Sequence, residues 1–203
     1  MLKLHIGDKK ISSWSMRPWV LMKALDIPFE EIEHPYLEDN TTQKALWKTF
    51  SPTSQVPVLL DGDTLIWDSL AIVLYLAEDY PAIFPTDKVA RAYAYSACTE
   101  MHAGFQQLRQ QCNFSPVFVK SIIPDSLLKK ELSRLDELWQ QGLLHFKGPF
   151  LAGNTFTAAD AYYTPVVLRL INYDLVSMMS LPAQQYIQLI HNHAAIRAWL
   201  GLQ

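Results

Sequence analysis

The two parts of this 203-residue chain follow different sequence periods, and this contrast constrains the fold more than any other feature. From Leu2 to about Tyr80 the pattern changes every ten residues or so between the alternation typical of strands and the spacing typical of amphipathic helices. From Lys88 onward the pattern is helical almost throughout. The sequence therefore predicts a mixed α/β unit followed by an all-helical unit.

The first part contains signals for four strands and three helices. An Asp61-Gly62 turn between two apolar runs predicts a hairpin. The predicted order is strand, helix, strand, helix, hairpin, helix, with these elements near 2–6, 18–25, 29–34, 42–50, 56–66 and from 68 onward. Pro18 is predicted to lie in the first turn of the first helix, and two threonines are predicted to cap the second helix. This order closes into a four-stranded mixed sheet with helices on both faces, the thioredoxin-like layout.

The segment DYPAIFPTD, between Asp79 and Asp87, has two prolines and turn-forming acids and is predicted to be a linker. The expected division is an α/β domain at 1–79, a linker at 80–87 and a helical domain at 88–203. The second domain is expected to contain helices near 88–113, 124–145, 158–172, 182–191 and 194–200.

Charge and composition argue against several classes of protein. The 17 basic and 20 acidic residues are interspersed, so no basic stripe is present that would attract nucleic acid. No secretory signal is seen and no apolar run approaches the roughly 20 residues that span a bilayer, so a cytoplasmic location without membrane contact is expected. Cys98 and Cys112 match no metal motif, and we expect two free thiols and no bound metal.

The segment ISSWSMRPW places three hydroxyl groups between the first strand and the first helix. In a thioredoxin-like unit this loop meets the helix N-terminus, which favours an anion. Thioredoxins have a Cys-x-x-Cys here, whereas this chain has Ser12-Ser13-Trp14-Ser15, so thiol–disulfide exchange through a protein cysteine is excluded. A serine hydroxyl can instead stabilise the thiolate of a bound small molecule.

Three motifs together resemble the cytosolic glutathione S-transferases over nearly the whole chain. SSWSMR is similar to the SSCSxR segment of the zeta class and to the SSWSxRPW segment of a broad bacterial group. The pair SQVPVL and DSLAI, beginning at Ser54 and Asp68, resembles "QVPxL … ESLAI". NTFTAAD, at 154–160, resembles "xxFTxAD", and its Thr157 and Asp160 also form a helix-capping box.

The resemblance implies that glutathione is the co-substrate and assigns its binding residues. The Val56-Pro57 bond is cis in the family, which turns the backbone towards the cysteinyl part of glutathione. Asp68 and Ser69 then face the γ-glutamyl ammonium and carboxylate. Gln55 is placed to reach the glycyl end.

For the thiolate, the resemblance favours Ser12, with Ser13 and Ser15 as alternatives and Ser15 more suited to capping the helix. Arg17 is a further candidate that acts electrostatically, although an arginine in a first helical turn is more often a surface ion-pair partner. Trp14 replaces a zeta-class cysteine, which puts the zeta isomerisation in doubt, and it could form a wall of the substrate pocket.

In the resembled fold, the long helix predicted at 88–113 lines the cleft that faces the thiol. His102, Phe105 and Arg109 are therefore candidate substrate contacts, although aromatic stripes at helical spacing more often belong to a core or a dimer interface. The resemblance also implies a homodimer.

Together these features predict an enzyme that adds glutathione to a small, apolar electrophile in detoxification. A glutathione-dependent isomerase of the maleylacetoacetate type or a dehalogenase would use the same thiolate. A non-catalytic stress or interaction protein of the same fold is the alternative outside enzymology.

Overall fold

The computed structural model describes residues 1–202 and contains the predicted mixed sheet. Its strands are β1 (Leu2–Gly7), β2 (Phe29–His34), β3 (Val58–Asp61) and β4 (Thr64–Ile66), in the order β2-β1-β3-β4. β1 pairs parallel with β2 and antiparallel with β3, and β3 pairs antiparallel with β4. The predicted thioredoxin-like fold class is therefore confirmed.

Three helices belong to this first part: α1 (Ser13–Ala24), α2 (Asn40–Trp47) and α3 (Ser69–Asp79). Successive side chains of β1 point to opposite faces of the sheet, and helices pack on both faces. Leu4 and Ile6 are fully buried on the side where α1 and α3 pack. On the other side the His5 ring stacks on Phe50, which follows α2.

Within the described residues, the second part contains six further α-helices: α4 (Lys88–Ala103), α5 (Gln106–Gln111), α6 (Ser126–Phe146), α7 (Ala158–Asn172), α8 (Leu181–His191) and α9 (Ala194–Trp199). α7 is the central helix, with nearly every residue buried. It packs against α1 and α4, so it joins the two parts of the chain. The division into domains at 79 and 88 remains a prediction, although α3 ends and α4 begins at these positions.

Three local predictions were wrong. The single helix predicted at 88–113 is interrupted, because Gly104 and the left-handed Phe105 (φ 58°) separate α4 from α5. α2 begins two residues earlier than predicted, since Asp39 caps it by accepting from the backbone of Thr41 and Thr42. α1 also begins earlier, at Ser13, so that Pro18 lies inside the helix and not in its first turn.

Candidate active site

The start of α1 leaves the first helical turn without a side-chain cap. Ser12 is the N-cap residue, but its hydroxyl makes no capping hydrogen bond. The expectation that Ser15 caps the helix was wrong: Ser15 lies inside α1, where its Oγ accepts from Gly7 N at 3.1 Å and from Ser12 Oγ at 2.7 Å. The backbone N–H groups of this turn remain suited to an anion.

A second wall of the site is the loop that leads into β3. The Val56–Pro57 peptide bond is cis, as the resemblance implied. Ser51 fixes the loop, since its Oγ donates to Gln55 O at 2.7 Å and accepts from Gln55 N at 3.1 Å. The Gln55 side chain therefore projects from a restrained backbone.

The third wall is the start of α3. Asp68 caps this helix by accepting from Leu70 N at 3.0 Å, and its carboxylate is 58% exposed. The other carboxylate oxygen lies 3.4 Å from His102 Nε2 on α4. Ser69 is buried, with its Oγ 3.3 Å from the hydroxyl of Tyr162. The acidic side chain thus remains accessible while its neighbours connect both parts of the chain.

These walls enclose a cleft of about 880 Å³. Seven of the predicted site residues line it: Trp14, Gln55, Val56, Pro57, Asp68, Ser69 and His102. The cleft is also lined by residues that sequence reasoning missed: Tyr36, Leu37, Asn40, Gln43, Lys44, Trp47, Thr53, Ser54 and Trp67. Most of these lie on or near α2, and only the placement of that helix against the site could have identified them.

The other predicted residues lie behind the lining of the cleft. Ser12, Ser13 and Ser15 are buried at the start of α1. Phe105 packs in the helical core, with its ring centroid 6.5 Å from that of Tyr163. Arg109 approaches the cleft indirectly, because its guanidinium lies 4.5 Å from the centroid of the Trp14 ring.

Arg17 is not the surface ion-pair partner that an arginine at a helix start usually is. It is fully buried, its Nε donates to Tyr162 O at 3.2 Å, and its guanidinium lies 4.0 Å from the Trp14 ring centroid. Burial, followed by repulsion from Arg109, lowers its pKa to about 9. Trp14 therefore separates the cleft from buried positive charge.

Neither cysteine can supply a reactive sulfur. Both are free and buried. Burial raises the pKa of the Cys98 thiol well above its ordinary value and that of Cys112 to about 11, so the thiolate needed for nucleophilic attack is disfavoured. Any thiol chemistry at the cleft depends on a sulfur brought by the ligand.

Between residues 1 and 202 no group of three or more His, Cys, Asp or Glu side chains is placed to hold a metal ion. The same residues include no helix of sufficient length and apolarity to cross a membrane.

Comparisons with known proteins agree with this geometry. Residues 11–79 match the family model for the glutathione S-transferase N-terminal domain. Glutathione S-transferase 1 of Dianthus caryophyllus is 27% identical over 190 residues, which cover 89% of this chain and 83% of that protein. Glutathione S-transferase Z1 of Arabidopsis thaliana is 29% identical over 192 residues, with coverage of 89% and 82%.

Among solved structures, a glutathione transferase homologue from Burkholderia with bound glutathione superposes with a TM-score of 0.74. It is 19% identical and the superposition covers 98% of this chain and 96% of that one, which shows the shared fold. The matched family domain contains α1, the loop before β3 and the start of α3, the elements that surround the cleft. From this domain match we conclude that residues 11–79 form a glutathione S-transferase N-terminal domain, in a chain that is similar over most of its length to glutathione S-transferases.

Proposed function

We propose that this protein is an enzyme that binds reduced glutathione in the cleft, lowers the pKa of its thiol with a serine hydroxyl at the start of α1, and adds the thiolate to a small electrophile. The observation that carries the proposal is the convergence of Gln55, Val56, Asp68 and Ser69 on one cleft beside the uncapped N-terminus of α1. An ionised thiol gains most from such a position, because N–H groups and the helix dipole favour negative charge.

The three parts of glutathione would meet different walls. The exposed Asp68 carboxylate is suited to the γ-glutamyl ammonium. The backbone before Pro57 is suited to the cysteinyl peptide unit, which it can pair with as an added strand does. Gln55 and Lys44 also line the cleft, and we assign them to the glycyl carboxylate, which an amide and an ammonium group can bind. The Trp14 and His102 rings, 5.2 Å apart between centroids, would form the wall that faces the electrophile.

Calorimetric titration with reduced glutathione, together with thiolate absorbance near 240 nm as the pH is varied, tests this function. We expect binding at or below millimolar concentration and a bound thiol with a pKa below the ~8.5 of an ordinary cysteine. If no binding occurs at millimolar glutathione, the proposed function is wrong. If glutathione binds, assays with transferase, isomerase and dehalogenase substrates separate the reactions that the same thiolate can perform.

Replacing Lys44 with alanine is expected to weaken glutathione binding about 2- to 12-fold, the effect of losing one exposed contact of roughly 0.5–1.5 kcal/mol. Lys48→Ala is the matched control, because Lys48 follows the same helix and donates to Pro52 O outside the cleft. Calorimetry with a glycyl ester of glutathione should show little difference between Lys44→Ala and the unmodified protein. An equal loss for the ester would contradict the assignment of Lys44 to the glycyl carboxylate.

We also propose that the protein is a cytoplasmic homodimer. Apolar side chains on α3 and α4 support a partner surface there, since Leu74, Val89 and Tyr95 are 48%, 59% and 44% exposed. Light scattering after size-exclusion chromatography should give twice the 23.2 kDa mass of the chain.

A further inference from the structure

The His5 and His34 side chains, on the neighbouring strands β1 and β2, form a hydrogen-bonded pair. His5 Nδ1 lies 2.9 Å from His34 Nε2, and the ring planes are nearly parallel, with 9° between them and 5.2 Å between the ring centroids. These distances place the two imidazoles edge to edge in one layer. One facing nitrogen must therefore donate a proton and the other must accept it.

The C-terminal end of α2 packs on this histidine pair. The Phe50 ring stacks on both imidazoles, with its centroid 4.8 Å from that of His5 and 4.1 Å from that of His34. The Trp47 ring meets His34 edge-on, with centroids 6.5 Å apart. The histidine pair thus supports two aromatic side chains that connect the end of α2 to the sheet.

α2 itself buries little of its surface. Of its eight residues, Gln43 and Trp47 are buried. Gln43 accepts from Leu37 N, in the segment that connects β2 to α2. The contacts that Trp47 and Phe50 make with the histidine pair are therefore an important link between α2 and the sheet. Because Trp47 and Gln43 also line the cleft, a movement of α2 changes the cleft wall.

The hydrogen bond of the pair survives one added proton but not two. A first proton added to the outer nitrogen of the donating ring makes the bond charge-assisted. A second proton must go to the accepting nitrogen. Two N–H groups and two positive charges would then face each other across 2.9 Å, which removes the hydrogen bond and forces the rings apart.

The surroundings of the pair also oppose protonation. Burial lowers the pKa of both histidines, and His34 and then Lys3 lower the pKa of His5 further, whereas Glu30 raises it. Lys3 and Glu30 form an ion pair at 3.2 Å, and β3 places the apolar Val58 opposite His5. The other titratable side chains between residues 35 and 50 make no hydrogen bond or ion pair with either imidazole within the described chain: Tyr36, Glu38, Asp39, Lys44 and Lys48.

We propose that the His5–His34 pair is a proton-sensitive latch that holds α2 against the sheet. With at most one added proton the pair supports Phe50 and Trp47, and entry of a second proton releases the end of α2 and the cleft wall that it forms. The latch is a property of the fold, whereas its effect on glutathione rests on the proposed function.

The direction of the pH effect follows from the lowered pKa values. In the docked state both histidines bind protons less readily than a free histidine, whose ordinary pKa is 6.5. Release of α2 exposes the pair and restores its proton affinity. The docked state therefore loses stability relative to the released state as the pH falls through and below 6.5. Glutathione, which would contact the docked wall, should bind less well in mild acid than at neutral pH.

Hydrogen exchange of the ligand-free protein tests the latch directly. After correction for intrinsic exchange rates, the amides of residues 40–50 should exchange at least about fivefold faster at about pH 5.5 than at about pH 7.5. The amides of α7 are the internal reference and should show no such increase, because α7 is a buried helix of the other part of the chain.

Two variants keep a neutral hydrogen bond but cannot take up the second proton. His5→Asn places an amide near the position of Nδ1 and His34→Gln places one near the position of Nε2, and either amide can donate or accept. Each should remove the acid-induced increase in exchange. His145→Gln is the matched control, since His145 is exposed on α6, and it should retain the increase.

Calorimetry with S-methylglutathione measures the effect on the cleft, because the sulfur of this analogue has no proton to titrate. From about pH 7.5 to about pH 5.5, the unmodified protein should lose at least about fivefold more affinity than His5→Asn or His34→Gln does. His102, beside Asp68 at the cleft, is present in all three proteins. Its contribution to the pH dependence therefore cancels in this comparison.

Unchanged exchange of residues 40–50 on acidification of the unmodified protein would overturn the inference, as would an equal increase in both histidine variants. If exchange responds as expected but the variants lose affinity as steeply as the unmodified protein, the latch does not act on the cleft. Absence of glutathione binding at either pH would overturn the proposed function alone, because the exchange measurement uses no ligand.

Discussion

Replacing Asp68 with alanine is expected to reduce glutathione affinity about 10- to 100-fold. The carboxylate is exposed at the edge of the cleft, and a charged hydrogen bond of this kind contributes roughly 1.5–3 kcal/mol. The same substitution removes the cap of α3, which costs about 1 kcal/mol of stability. Calorimetric titration with glutathione measures the affinity, and urea denaturation measures the stability.

Asp68→Asn separates these two effects, because asparagine caps a helix as well as aspartate does but has no charge. We expect it to retain the stability and lose most of the affinity. A glutathione analogue without the γ-glutamyl amino group should bind Asp68→Asn and the unmodified protein about equally. If the affinity of the analogue falls in Asp68→Asn as much as the affinity of glutathione does, Asp68 does not bind the ammonium.

Replacing Asp160 with alanine is expected to destabilise the protein by about 3–5 kcal/mol, since it leaves several buried donors without an acceptor. The carboxylate is fully buried and accepts from Leu151 N and Thr157 N, both at 2.9 Å, and from the Tyr186 hydroxyl at 3.2 Å. It fixes the start of α7, the helix that joins both parts of the chain. Urea denaturation at neutral pH measures the loss.

Asp87→Ala is the control for this substitution. Asp87 also caps a helix, α4, by accepting from the backbone of Val89 and Ala90, but it is exposed to solvent. Its replacement should cost only about 1 kcal/mol. Equal losses for the two variants would show that the buried contacts of Asp160 add nothing to its capping role.

The pH dependence of stability gives an independent check on Asp160. Burial raises its pKa to about 6, whereas hydrogen bonds oppose this shift without cancelling it. Between the ordinary value of 3.8 and about 6, the folded protein therefore holds a proton that the unfolded chain has released. Stability from this group declines as the pH rises through that window. Asp160→Asn should lack this contribution, which urea denaturation at several pH values would detect.

The element pattern of the first part was predictable because each signal is local. Alternation in β1, the Asp61-Gly62 hairpin and the capping residues of α3 and α7 act within a few residues. The Thr157 and Asp160 pair also formed as predicted, with the carboxylate accepting from Thr157 N. Errors occurred where local signals competed, as at Gly104 in the predicted 88–113 helix and at Asp39 before α2.

The sequence by itself determined the fold class, because alternation, helical spacing and turn signals are local. The resemblance of its motifs to a known family predicted the segments Gln55–Pro57 and Asp68–Ser69, which line one cleft in the structure. Only the tertiary structure decided which residues beyond these segments line the cleft. It also buried Arg17 and placed Arg169 within 3.4 Å of Ser13 across 156 residues of chain. Such states depend on contacts between distant elements, and a one-dimensional pattern does not contain them.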